Sequence, residues 1–159
     1  MKIDIPLGLY VPEGHCAVLH TTGQANLFRI KYKPHSDTIY KNCTFQLKSQ
    51  EGIRNLFTDG IMYCMGLMLI GESSYGLIHA NSAKSLELLL KRVLFDLPER
   101  AIHAMHACSS TGMDNPANNY LEVLSRITPT IVPRIHQQPI VYPQEIACGK
   151  DVLYTGSTD

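Results

Sequence analysis

The sequence predicts an α/β domain in which mixed β-sheets pack face to face, sandwich-like, with two or more helices flanking them. Three observations carry this prediction. Short apolar segments punctuated by Gly, Pro, Asn and Asp recur before residue 80 and again after residue 129. Two stretches, 82–97 and 117–127, repeat apolar residues at helical spacing. Strands therefore stand both before and after a helical pair, the pattern of packed layers. With 159 residues the chain is long enough to bury a real core, and residues 1–159 read as one domain.

Taken in order, residues 1–14 are punctuated by Pro and Gly and read as irregular chain or an edge strand. Ala17–His20 and Asn26–Tyr32 read as strands separated by a turn at Thr22-Gly23. In the second, Phe28, Ile30 and Tyr32 alternate with Arg29, Lys31 and Lys33, which predicts one buried and one wet face. Lys41–Leu47 is a further short strand, and Ser49–Leu56 is read as one or two helical turns capped by Ser49. Asp59-Gly60 is read as a turn, and Ile61–Ile70 as a strand containing Cys64. Gly71 to Ser74 makes a second turn, and Tyr75–Ile78 leads to His79. Asn81 or Ser82 caps a helix whose Leu86, Leu89, Leu90, Val93, Leu94 and Leu97 share one face, and Pro98 ends it. Residues 100–108 read as a strand, 117–127 as the second helix, and Thr130–His136, Pro139–Tyr142 and Asp151–Thr155 as short β segments. Four prolines in that tail keep its strands short or at edges.

Composition excludes several function classes. The apolar fraction is 45%, the charged fraction 18% and the formal net charge zero, so no electrostatic case exists for nucleic acid or an anionic membrane. No segment reaches the roughly 18 apolar residues of a membrane span. The opening stretch lacks the long apolar core of a secretory signal, which predicts a cytoplasmic protein or one exported by another route. Five cysteines, Cys16, Cys43, Cys64, Cys108 and Cys148, form no CxxC pair, which argues for a reducing compartment rather than a disulfide framework.

The chemistry concentrates between Thr58 and His79. Antiparallel pairing of the segments around Gly71–Ser74 brings the start of the first beside the end of the second, so Cys64 and His79 are expected to approach each other. A thiol beside an imidazole is the minimum equipment for thiolate chemistry. Backbone N–H groups near the cysteine would serve a developing oxyanion, and Thr58 would add a hydroxyl or orient the pair.

Thr58, Cys64 and His79 resemble the Thr–Cys–His arrangement of the CheD-like glutamine deamidases, which include the chemoreceptor deamidase and the catalytic domains of cytotoxic necrotizing factor and Burkholderia lethal factor. The threonine lies six residues before the cysteine and the histidine fifteen after it. The segment GLIHA followed by an amphipathic helix continues the likeness, whereas Tyr63 stands where that family has a small residue. The resemblance implies a CheD-like deamidase fold and a single catalytic domain. It implies a Cys64 nucleophile, a His79 base and a supporting Thr58, acting on a protein that presents an exposed glutamine. No cofactor and no metal are implied. Such a protein would be a cytoplasmic regulator of a receptor or a toxin or effector delivered into another cell.

Other readings stand beside it. The chain could be a non-enzymatic α/β binding module with Cys64 in its core. His103, His106 and Cys108 offer potential zinc ligands, but on a strand only His106 and Cys108 share a face, so His136 or Cys148 would have to be recruited. A papain-like protease would place its cysteine at a helix N-terminus, which the apolar run around Cys64 opposes. Asn81 is a candidate to orient His79, although capping explains it better, and Ser73 and Ser74 are candidates to rim the pocket.

Overall fold

The structure, a computed structural model, describes residues 4–31, 44–109, 114–115, 118–137 and 143–157. The strands up to the first helix are Gly8–Tyr10 (β1), His15–His20 (β2), Ala25–Lys31 (β3), Thr44–Gln50 (β4), Asn55–Ile61 (β5), Met65–Gly71 (β6) and Ser74–Ala80 (β7). Helix Ala83–Asp96 (α1) follows, then a single 3-10 turn and Ile102–Ser109 (β8). Asp114–Asn115 (β9) and Asn118–Asn119 (β10) form a two-residue ladder that leads into helix Tyr120–Ile127 (α2). Arg134–Gln137 (β11), Gln144–Gly149 (β12) and Leu153–Ser157 (β13) complete the chain.

Two mixed sheets result. The larger has the order β11-β8-β6-β7-β2-β3-β4 and the smaller β1-β5-β12-β13. Among the described residues, the β1–β5 and β11–β8 pairs are parallel and the rest antiparallel. The sheets stack face to face around Ala17, Leu19, Leu56, Ile61, Met68, Leu77, Ile146 and Cys148. The opposite face of the larger sheet carries α1, which packs on β7 and β2 and against α2. The order of layers is therefore small sheet, large sheet, helices, the packed α/β class expected.

Strand periodicity distributes the side chains. On β6, Met65, Leu67 and Leu69 join the helix-side core while Met68 joins the inter-sheet core. Because β6 lies between β8 and β7 with both faces covered, its sequence is an almost unbroken apolar run. In α1, Leu86, Leu89, Leu90 and Val93 point inward. Ser82 is its N-cap, and Ser85 returns the capping bond at N3, a Ser–Ser version of the capping box.

Several expectations need correction. Ser49–Leu56 is not helical: Ser49 belongs to β4 and Leu56 to β5. Cys64 does not sit in a strand; it ends the connection between β5 and β6. Asp59-Gly60 is not a turn but lies within β5, where the ladder to β12 pairs Thr58 with Ile146 and Ile61 with Gln144, so two residues stand opposite one. Gly60 takes φ +69°, which only glycine adopts freely. This bulge puts Thr58 and Ile61, three apart, on the same buried face. Strand β12 was not anticipated, although it is the interior strand between β5 and β13. The second helix begins at Tyr120, and the proposed strand Pro139–Tyr142 falls outside the described residues.

Gly66 sets the approach of the sheets at the end of β6. A Cβ there would run into Ile61 and come within 2.7 Å of Ile146 Cδ1, both on the facing sheet. Replacing Gly66 with Val is expected to lower stability by about 1–3 kcal/mol through overpacking. Urea unfolding measures this, and an unchanged midpoint would refute the close-approach account.

At the other edge, His106 Nδ1 lies 2.9 Å from His136 Nε2 and the rings stack, joining β8 to β11. In such a pair one nitrogen must donate and the other accept, so the two rings cannot both be protonated without losing the bond. Burial, then the neighbouring His136 and Arg134, hold His106 below its ordinary 6.5. The depressed value means that this stabilisation is complete above the ordinary value and is lost as pH falls through the folded one. Stability is expected to drop as pH is lowered from neutral to about 5, with a shallower slope in His106→Gln. Identical slopes for both proteins would exclude His106 as the titrating group.

Candidate active site

Thr58, Cys64 and His79 are brought together at one end of the inter-sheet space. His79 lies near the end of β7, paired with Gly66 on one side and His15 on the other. Its face of β7 also carries Leu77 and points toward the smaller sheet. Thr58, on β5, meets it across the sandwich: Thr58 Oγ1 and His79 Nδ1 are 2.8 Å apart, with Thr58 fully buried and His79 3% exposed. His79 Nε2 is buried and has no hydrogen-bond partner.

Cys64 is half-buried and belongs to neither core cluster, so it is not the core thiol of the binding-module reading. Hydroxyls pin both carbonyls flanking its peptide links. Ser109 Oγ donates to the Cys64 carbonyl at 3.1 Å, and the Tyr120 hydroxyl donates to the Tyr63 carbonyl at 3.4 Å. The Tyr63 side chain is exposed and does not fill the site. Its bulk is accommodated outward.

A third group was invisible in the sequence. One ligand atom each of Glu13, Cys64 and His79 lie within 4.8 Å of one another. The Glu13 side chain is exposed, but its backbone is fastened around it. Val11 N–H donates to the Phe57 carbonyl, Gly14 N–H to the His79 carbonyl and His15 N–H to the Pro12 carbonyl. The crossing from the small sheet to the large one thus carries Glu13 over the mouth of the site. Nothing in the run VPEGH marks it, since its neighbours lie more than 50 residues away in sequence.

Burial dominates the electrostatics. It pushes the Cys64 thiol up to about 12, reinforced by the charge of Glu13 and a hydrogen bond to it. Burial also lowers His79, against the opposing pull of Glu13 and Asp59. Both shifts favour a neutral thiol beside a neutral imidazole rather than a preformed ion pair. An arrangement of this kind can move a proton from sulfur to nitrogen as sulfur attacks an electrophilic carbon.

The remaining candidates fall elsewhere. Asn81 does not hydrogen-bond the His79 ring, whose Nδ1 meets Thr58 and whose Nε2 has no partner; the Asn81 backbone N–H donates to Ser85 Oγ at the start of α1. Ser74 hydrogen-bonds His20 Nδ1. His103 is exposed, His106 pairs with His136 and Cys108 is buried in the inter-sheet core, so the three do not converge. No described helix is long and apolar enough to cross a membrane. No protein-family model matches the chain, and no curated protein matches it. The functional reading therefore rests on the geometry of the site.

Of the described thiols, Cys16, Cys108 and Cys148 are buried and Cys64 alone is partly open. Iodoacetamide is expected to modify Cys64 before these three. Because the Glu13 charge opposes the thiolate, Glu13→Gln should speed that modification at neutral pH by about three- to tenfold. Peptide mapping after timed quenching reads both effects, and an equal or slower rate in Glu13→Gln would remove Glu13 from the thiol's surroundings.

Proposed function

We propose that this protein is a protein-glutamine deamidase of the CheD-like kind, with Cys64 as nucleophile, His79 as base and Thr58 as the residue that holds the imidazole. The observation that carries the reading is the Thr58–His79 contact of 2.8 Å beside a partly open thiol in the same cluster. The layering of two mixed sheets and a helical face agrees with the fold such an enzyme would have.

In this mechanism His79 donates its Nδ1 proton to Thr58, which leaves the Nε2 lone pair for the thiol. The Cys64 proton passes to Nε2 as sulfur bonds to the side-chain amide carbon of glutamine. The tetrahedral intermediate collapses as the C–N bond breaks, and the imidazolium protonates the departing ammonia. Water, deprotonated by His79, then cleaves the thioester, releasing glutamate and restoring the thiol. The peptide link explains how an oxyanion would be met. A trans peptide points its N–H opposite to its C=O. With the Tyr63 carbonyl turned to Tyr120, the Cys64 N–H is directed away from that helix. Cys64 also precedes β6, outside the strand ladders. The chemistry needs no organic cofactor.

The partner is a protein with an exposed glutamine, and the reaction adds one negative charge to it. A groove lined by His15, Leu27, Arg29, Gln46 and Lys48 opens beside the site, since His15 is the ladder neighbour of His79. Its cationic lining suits an acidic stretch of substrate. Either a receptor regulator or a translocated toxin would use such a product.

Incubating cell-extract proteins with the enzyme and with Cys64→Ser is the direct test. Wild type is expected to convert specific glutamines to glutamate, read by peptide mass spectrometry, and Cys64→Ser to convert none. Conversion that persists in folded Cys64→Ser would sink the assignment.

A further inference from the structure

The Glu13–Cys64–His79 cluster has a donor set that the deamidation chemistry does not use as such. A soft thiolate, an imidazole nitrogen and a carboxylate are the ligands zinc takes, and three protein ligands with one open position make a complete zinc site of the kind that keeps a water or substrate. Two independent observations point to a ligand. The three potential ligand atoms lie within 4.8 Å of one another. His79 Nε2 is a buried nitrogen without a partner, on a side chain 3% exposed. Its other nitrogen is held by Thr58, the outer-shell contact that fixes a metal-binding histidine in its ring orientation.

We infer that these three residues form a binding site for a single zinc ion, and that zinc held there silences the thiol. Tetrahedral zinc at about 2.0–2.3 Å from its ligands places them about 3.3–3.7 Å apart. The present cluster would therefore close by up to about an ångström, with the exposed Glu13 side chain and the half-buried Cys64 thiol as the movable parts and His79 as the fixed one. Binding breaks the S–H bond of Cys64 and forms a Zn–S bond, and the thiol proton leaves to solvent. His79 contributes the Nε2 lone pair without losing a proton. One thiolate and one carboxylate neutralise the two charges of the ion. Glu13 thereby acquires a purpose: near a bare thiol its charge opposes ionisation, whereas near a bound cation it is a ligand.

The site itself stands on geometry alone; silencing of the enzyme rests on the deamidase reading. The test is zinc competition against a chromophoric indicator near neutral pH, on chain first stripped with chelator. One zinc per wild-type chain is expected. Glu13→Gln, His79→Ala and Cys64→Ala should each weaken binding by at least about tenfold, since even the loss of an outer-shell partner of a metal does so. With cobalt as the probe, a thiolate-to-metal charge-transfer band should appear in wild type and be absent from Cys64→Ala. Glu13→Gln keeps the test valid if His79→Ala does not fold, because Glu13 lies outside both cores. No stoichiometric binding by wild type, or affinity unchanged in Glu13→Gln and Cys64→Ala, would overturn the inference. Zinc binding with no glutamine conversion by the zinc-free chain would refute deamidation and leave the metal site; conversion without zinc binding would do the reverse.

Discussion

The Thr58–His79 hydrogen bond is the contact on which the site depends. It joins the middle of the small sheet to the middle of the large one through two side chains that water does not reach. Leaving a buried imidazole nitrogen without its partner costs about 1–3 kcal/mol, so the layers are held in register by a polar contact as well as by apolar packing. Two local devices make it possible. The bulge at Gly60 keeps both Thr58 and Ile61 inward, and the missing side chain at Gly66 lets Ile61 and Ile146 approach the strand beside His79. A third tie, from Gly14 N–H to the His79 carbonyl, holds the same residue from the other side and brings Glu13 with it.

That fixed imidazole explains the resting electrostatics. A nitrogen sealed from water is a poor place for a positive charge, and a half-buried sulfur beside a carboxylate is a poor place for a negative one. The pair is therefore built to stay neutral until something changes its surroundings. In the proposed deamidation an approaching amide carbonyl would do so by giving the sulfur electrons a destination, and the proton would move in the same step. A divalent cation at the proposed site would do so by replacing the proton outright. Both proposed events would use the same unpartnered Nε2, so substrate chemistry and metal binding would compete for one position.

The parts of the site that were legible in the sequence are those connected through adjacent strands. Cys64 and His79 lie at neighbouring ends of β6 and β7, and a two-strand antiparallel unit with a tight turn shows itself in about 20 residues. Helix α1 was legible because its apolar spacing is strict and Pro98 follows it. The errors share a cause. Ile61 to Ile70 is apolar throughout, so hydrophobicity could not reveal that the strand begins only at Met65. Asp59-Gly60 has turn chemistry, and a bulge uses the same glycine conformation as a turn. The strand Gln144–Gly149 carries Glu145 and a terminal glycine, so its pattern is weak, yet every residue from Gln144 to Cys148 is buried by pairing with β5 and β13. Glu13 was illegible for a different reason: its role comes from a chain crossing between sheets, a tertiary event with no local signature.

Tyr63 departs from the deamidase pattern without filling the site. A small residue before a nucleophile matters when that side chain would crowd the oxyanion. Here the side chain is exposed, and the carbonyl of the same residue is anchored to α2. Planarity of the following peptide then couples the two demands: with that carbonyl held by the tyrosine of the helical layer, the Cys64 N–H must face the other way. Ser109 repeats the device on the next link, where it holds the Cys64 carbonyl. Two hydroxyls, from β8 and α2, hold that orientation here. Strand β8 and helix α2 thus hold the backbone at Cys64, while the small sheet, through Thr58, holds the His79 ring.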